Sequence, residues 1–349
     1  MKTSFISTFT LSNTARNQIT SQTSTLNKLQ LELASGRKAD VGLDLGGRTG
    51  DAVSLRSDFR FFNSIIDTNE LAKSRLDIAQ AAMDDIRTSA EDLQSTLIGV
   101  RDTGNSAPGV AAEADAGLQQ LIARLNTQLG GSYLFSGINS DVPPINDYYA
   151  NPASPNKTAA DGAFFTEFGF AQTDPGVAGI TPAQMDTYLN GNFEALFTSP
   201  NWETNWSTAT DQTAQTRIAA REEVETSVSA NEQAFRDVAS VFVMLSDLGN
   251  LDLPNETQKV VVDKAIEKLG SIVGDLADIQ GSLGISQERV KLASERLDVQ
   301  TNILNEGINS LENVDKEETA VRLNTAITQL EISYSISSRI QQLSIMRYL

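Results

Sequence analysis

Apolar residues recur along most of this chain with the period of a helix seam rather than of a strand. Phe62, Asn69, Leu76, Met83, Ala90 and Leu97 fall seven apart, and Ile65, Ala72, Ala79, Ile86, Leu93 and Val100 interleave at three- and four-residue steps. Asn69 is the one polar member. This is the a/d spacing of a coiled-coil seam. It predicts a helix over about 52–101, roughly 75 Å long at ~1.5 Å per residue. A second seam runs through Leu276, Leu283, Val290, Leu297, Leu304 and Leu311, with Ile279, Ala293 and Val314 between them and Ser286, Gln300 and Gly307 diluting it. Two stripes of matching length and period are buried most simply by antiparallel packing against one another.

Shorter helical patterns flank these. Residues 14–34 carry Ile19, Leu26, Leu29 and Leu33 and stop at Ser35-Gly36, where glycine suits a left-handed C-cap. Residues 111–129 and 211–247 read as further helices, and another follows Pro254, where Asn255 and Gln258 have capping-box spacing. The last helix, about 316–346, bears Leu323, Ile327, Leu330 and Tyr334 on one stripe and Ile332, Ile336, Ile340 and Leu343 on another. Two stripes suit a helix packed on several sides.

Residues 132–206 differ in kind, holding seven of the nine prolines, thirteen of the twenty-two aromatics and both tryptophans, Trp202 and Trp206. Helical periodicity is lost there, and short aromatic runs alternate with turn residues, which predicts a β-rich insertion. The expected fold is mainly α: a long antiparallel coiled-coil-like bundle with a small β-rich inserted domain. Its parts are terminal helices at 1–50 with 314–349, a helical rod at 51–131 with 211–313, and the insertion at 132–210. The bundle core is assigned to Leu76, Met83, Ile86, Leu93 and Leu97 on one helix and Leu283, Val290, Leu297 and Leu304 on the other.

Composition narrows the function. The 349 residues include no cysteine and no histidine, which removes disulfides, thiolate nucleophiles, Ser-His-Asp triads and HExxH zinc sites. A net charge of −18 argues against nucleic acid as a partner. The excess lies in the middle, since residues 1–60 carry eight Lys/Arg against five Asp/Glu and residues 320–349 carry three Arg against one Glu. The ends are thus suited to packing together while the acidic middle faces water. No stretch of eighteen apolar residues predicts membrane insertion, and the N-terminus lacks the apolar core of a cleaved signal peptide.

Single motifs yield no chemistry. Gly46-Gly47 and Gly130-Gly131 lack the context of phosphate loops. Asp315-Lys316-Glu317-Glu318 reads as a helix start, where acidic residues favour the dipole. Trp202 and Trp206 could line a sugar-binding face, although such residues more often fill a small core. Asn69 reads as a register-fixing polar residue. No catalytic, cofactor-binding or metal-ligating residue is assigned.

Two segments carry a resemblance. Leu29-Gln30-Leu31-Glu32-Leu33-Ala34-Ser35-Gly36-Arg37-Lys38 resembles the N-terminal signature of the bacterial flagellin family, and Gly281-Ser282-Leu283-Gly284-Ile285-Ser286-Gln287-Glu288-Arg289-Val290 resembles its C-terminal counterpart. Within that family, Gly131-Ser132-Tyr133-Leu134-Phe135-Ser136-Gly137 and the ending Leu343-Ser344-Ile345-Met346-Arg347-Tyr348-Leu349 are similar to the hook-associated members that join hook and filament. The resemblance implies an extracellular structural subunit, exported unfolded through the flagellar channel with a chaperone on its C-terminal helix. It also implies terminal helices that order on assembly. The partners implied are further copies in a ring, a neighbouring hook-associated protein and flagellin.

Apolar stripes on free terminal helices are an aggregation hazard unless neighbours bury them. The assembly interface is therefore assigned to Ile19, Leu26, Leu29 and Leu33 with Leu323, Ile327, Leu330, Tyr334, Ile336, Ile340 and Leu343. Two other readings stay open: a filament subunit, and a surface protein that binds polysaccharide through clustered Trp and Tyr side chains of residues 132–206.

Overall fold

The heptad seams become two long helices. In a computed structural model, which describes residues 8–101 and 107–345, the helices are α1 (Thr8–Ser35), α2 (Val41–Leu45), α3 (Thr49–Val100), α4 (Ala107–Leu125), α5 (Pro155–Phe168), α6 (Pro182–Tyr188), α7 (Gln233–Leu248), α8 (Asn255–Glu312) and α9 (Lys316–Ile345). Two small antiparallel sheets pair β1 (Gln128–Leu129) with β2 (Ser132–Tyr133) and β3 (Gln215–Ala219) with β4 (Glu222–Glu225). The chain is mainly α with minor β structure, as its periodicity predicts. The helix expected after Pro254 and the second seam are one continuous helix, α8, whose first amides, at Thr257 and Gln258, bond to Pro254 O at 2.9 Å. No helix among the described residues is long and apolar enough to cross a membrane.

The chain divides into two compact units, residues 1–63 with 298–349 and residues 64–297. In the second unit α3 and α8 run antiparallel. Asn69 Nδ2 lies 3.1 Å from Ser294 Oγ, Gln80 Nε2 2.7 Å from Gln280 O, and Arg101 Nε 2.5 Å from Asp263 Oδ1. Leu76, Met83, Ile86, Leu93, Leu97, Leu283, Val290 and Leu297 are all buried. Each such side chain contributes about 1.5–3 kcal/mol by leaving water. α4 packs on α7, and α7 is buried on nearly every side because its sequence, from Ala234 to Leu248, is apolar nearly all round.

Where the β structure lies differs from expectation. Residues 211–247 are not one helix: β3 and β4 form a hairpin before α7 begins at Gln233. Helix-favouring Ala, Arg and Glu conceal an alternation in which Ile218 and Val224 point inward. The hairpin is tied to α8 through Glu222, which accepts from Arg296 Nη2 at 2.9 Å and Arg289 Nη2 at 3.2 Å. Those bonds hold its carboxyl below the usual glutamate range.

Residues 132–206, expected to be β-rich, contain α5, α6 and short 3-10 and π turns, with β2 as their one strand. Proline misled the pattern reading. Pro155 and Pro182 sit in the first turn of α5 and α6, where the missing N–H costs nothing. The aromatics are spaced to meet on helical turns, and they form one ladder from Phe168 and Phe164 through Tyr188, Phe193 and Phe197 to Trp206. Trp202 and Trp206 stack with centroids 5.5 Å apart. This ladder is continuous with the helical core of the unit.

The aromatic segment at the exit of α4 is a stitch. Phe135 O accepts from Ala230 N at 2.7 Å and Ser136 O from Thr210 N at 3.1 Å. Gly137, at φ +67°, lies so close that a Cβ there would sit 2.4 Å from Thr210 O. Only glycine fits both the conformation and the approach.

Candidate assembly surface

The first unit is built on the terminal helices. α1 and α9 pack antiparallel, with Gly36 beside the start of α9 and a shallow groove at the other end lined by Arg16, Ile19, Thr20, Tyr334, Ser337 and Ser338. On α1 the residues turned inward, Ala15, Ile19, Gln22, Leu26, Leu29 and Leu33, follow three- and four-residue steps, and on α9 Thr319, Leu323, Ala326, Leu330, Ser333 and Ser337 do the same. Small residues dominate the outer half of this seam and let the two backbones approach closely.

The eleven residues assigned to assembly therefore divide. Ile19, Leu26, Leu29, Leu33, Leu323 and Leu330 are buried or half-buried in the α1–α9 seam. Ile327, Tyr334 and Ile336 are exposed, Tyr334 by 54% and Ile336 by 52%. The backbone at Ile340 and Leu343 is helical, but their side chains lie outside the described residues. Two exposed residues of α9 were missed as interface candidates: Val321, 65% exposed and not singled out at all, and Ile332, 53% exposed and noted only as part of a second stripe. With Ile336 they fall on the side of α9 turned away from α1. The sequence carried that signal as two stripes on one helix, and the α1 pairing covers only Leu323 and Leu330 of the first, leaving Ile327 and Tyr334 exposed.

The bundle residues are placed as the second unit describes, apart from Leu304. It belongs to the first unit and is half-buried.

The base of the α1–α9 hairpin is an ionic centre. Gly36, at φ +72°, ends α1 as the expected left-handed cap. The next residues pair with the α8–α9 turn: Lys38 N donates to Glu312 O at 2.8 Å, Val314 N to Gly36 O at 3.0 Å, and Lys38 Nζ to Leu311 O at 2.6 Å. Glu312 itself is fully buried. Its Oε2 accepts from both Arg37 and Arg56, while Oε1 is buried without a partner. Sequence reasoning passed over Glu312, and the available clue was that Arg37-Lys38 needed an anion. Alongside, Lys28 Nζ lies 2.6 Å from Asp44 Oδ1, a bond that holds the ammonium above its ordinary range. Asp315 caps α9 by accepting from Glu317 N at 2.8 Å and Glu318 N at 3.1 Å, so the acidic run does the work of a helix start.

The tryptophans offer no sugar-binding face. Trp202 and Trp206 are each 1% exposed, and Trp202 Nε1 donates to Asn231 Oδ1 at 3.0 Å inside the core. Tyr148 is likewise buried and stacks on Trp206 at 5.4 Å. The polysaccharide reading loses its motive.

Residues 6–140 match the bacterial flagellin N-terminal helical region, and residues 266–349 match the bacterial flagellin C-terminal helical region, together more than half of the chain. No curated protein matches at a significant level. Among solved structures, a protein from Vibrio parahaemolyticus assigned as a flagellar hook-associated protein aligns with a TM-score of 0.52 at 9% identity, over 76% of this chain and 97% of that one. Flagellar hook-associated protein-3 from Legionella pneumophila aligns with a TM-score of 0.50 at 12% identity, over 74% of this chain and 98% of that one. At such identities the likeness is one of fold.

Proposed function

Because this chain belongs to the bacterial flagellin family, we propose that it is a structural, non-catalytic subunit of the flagellum that joins hook to filament and assembles through its terminal helices. The observation that carries assembly is the outer face of α9, where Val321, Ile332 and Ile336 are each more than half exposed although their helix is already paired with α1. A monomer gains nothing from apolar residues there, whereas a neighbouring subunit would bury them at about 1.5–3 kcal/mol each.

The junction position is favoured by Leu134-Phe135-Ser136-Gly137, which resembles the hook-associated members and here has a structural task in stitching the exit of α4. Export through the flagellar channel, with a chaperone covering the C-terminal helix, accompanies this reading. So does self-association into a ring flanked by another hook-associated protein and by flagellin. Immunogold labelling of intact flagella with antibody against residues 132–206 tests the position. Label at the single point where hook meets filament supports the junction role. Label along the whole filament makes the chain a filament subunit, and label over the cell body overturns both.

A further inference from the structure

We propose that Glu312 is the positioning residue of the assembly hairpin: its buried carboxylate clamps the end of α1, the start of α3 and the end of α8 together, and thereby sets the base from which α9 departs. The inference rests on reading α1 and α9 as the assembly surface, and it assigns a task to Arg37 within the family-like segment Ser35-Gly36-Arg37-Lys38.

Three elements converge on one side chain. Glu312 ends α8, Arg37 follows α1 and Arg56 lies in the opening turns of α3. Both guanidiniums donate to the same oxygen, Oε2. The carboxylate is sunk, with its side chain 1% exposed, whereas Arg37 and Arg56 keep 49% and 44% of theirs in solvent. This asymmetry matters. A desolvated carboxylate is stable only while cations answer it, and a half-solvated arginine tolerates losing its partner far better. The buried anion is thus the element that demands the arrangement, and the arginines are what it demands.

Backbone pairing makes the clamp directional. Arg37 and Asn313 face each other in a short antiparallel bridge, flanked by the Lys38 N to Glu312 O and Val314 N to Gly36 O bonds. The side-chain clamp and this bridge therefore share Glu312, so the end of α1 is registered against the turn that launches α9. Gly36 fits the scheme, since a Cβ there would meet Lys316 Cε at 3.1 Å. The far end of the hairpin has no comparable device among the described residues. Its seam is made of Ala15, Ile19, Ser333 and Ser337, so order in the hairpin is inherited from its base.

The test is amide hydrogen exchange on the unassembled full-length chain, with fluorescence of the buried Trp202 and Trp206 reporting separately on the other unit. Glu312→Gln leaves the arginines without an anion, and the pair Arg37→Gln with Arg56→Gln leaves the carboxylate without cations. The arginine pair variant is expected to speed exchange across residues 30–45 and 311–320 by roughly tenfold or more, and Glu312→Gln by clearly less, with tryptophan emission unchanged in both. The triple variant carrying all three glutamines removes the buried charge and is expected to recover most of the protection. Wild-type exchange in the arginine pair variant, or a triple variant as fast as that pair variant, would overturn the proposal. So would a shift in tryptophan emission, because a local clamp does not hold the other unit. A chain that never assembles would instead contradict the proposed function while leaving these exchange rates untouched.

Discussion

Asn69, the one polar residue in the α3 seam, meets Ser294 of α8, its Nδ2 donating to Ser294 Oγ at 3.1 Å and also to Ile218 O of the hairpin at 3.1 Å. One fully buried amide therefore ties two long helices and the β3–β4 hairpin, which fixes their register. Asn69→Ala strands the Ile218 carbonyl and opens a small cavity. We expect a loss of about 1–3 kcal/mol in urea unfolding, with helix content by circular dichroism unchanged. A neutral result would show that the register is set by apolar packing alone.

Gly117 lies where α4 crosses α7, and a Cβ there would sit 2.5 Å from Phe242 Cε1. An alanine inside an exposed helix ordinarily stabilises by about 0.5–1 kcal/mol relative to glycine. Here the ring is fully buried and cannot retreat, so Gly117→Ala is expected to cost about 1–3 kcal/mol through overpacking. Thermal unfolding of the pair decides the sign.

Asp247 gives the second unit a pH dependence. Its side chain is only 10% exposed, accepts from Tyr148 OH at 2.6 Å and faces Lys157 Nζ at 3.3 Å. Burial raises its carboxyl above the ordinary aspartate range, against the opposing pull of Lys157. A raised carboxyl binds its proton more tightly in the folded state, so its stabilisation is complete below the unfolded value of about 3.9 and is lost as pH rises through the folded one. Asp237 and Glu232, also raised by burial, act with the same sign. Urea midpoints of the wild type are expected to fall relative to Asp247→Asn as pH rises from about 4 toward neutrality. A gap between the two proteins that stays constant with pH would assign the effect elsewhere.

The long helices were legible because their energetics are written in the period. Leu76, Met83, Leu283 and Val290 are all buried, and a seven-residue repeat keeps one face of a long helix turned to a core. The end of α1 at Gly36 was legible because a left-handed cap needs a particular residue. What escaped was set by tertiary context. Apart from Thr216, Ile218 and Val224, the β3–β4 strands are made of Gln, Arg, Ala and Glu, whose local preference is helical, and Asn69 and the Arg289–Glu222–Arg296 group tie the hairpin in place. The prolines of residues 132–206 open helices as readily as they end them. On the two terminal helices, apolarity picked out candidate interface residues. It did not distinguish Leu26 and Leu29, which α9 covers, from Ile332 and Ile336, which it leaves bare.

Removal of residues 320–349 deletes nearly all of α9 and leaves residues 64–297 with their own continuous core. The truncated chain is expected to stay folded and soluble, with the Trp202–Trp206 emission of the intact protein, and to fail to assemble. Assembly by the truncated chain would remove α9 from the account.

The central claim, that the outer stripe of α9 is buried between subunits, is tested most directly by thiol accessibility, because the chain has no cysteine of its own. Ile332→Cys and Ile336→Cys, with Phe165→Cys on the exposed face of α5 as reference, would be labelled with a maleimide in the free chain and in isolated flagella. The account predicts that all three react in the free chain, and that in flagella only the α5 position still reacts. Equal labelling of Ile332→Cys and Ile336→Cys in both states would contradict it.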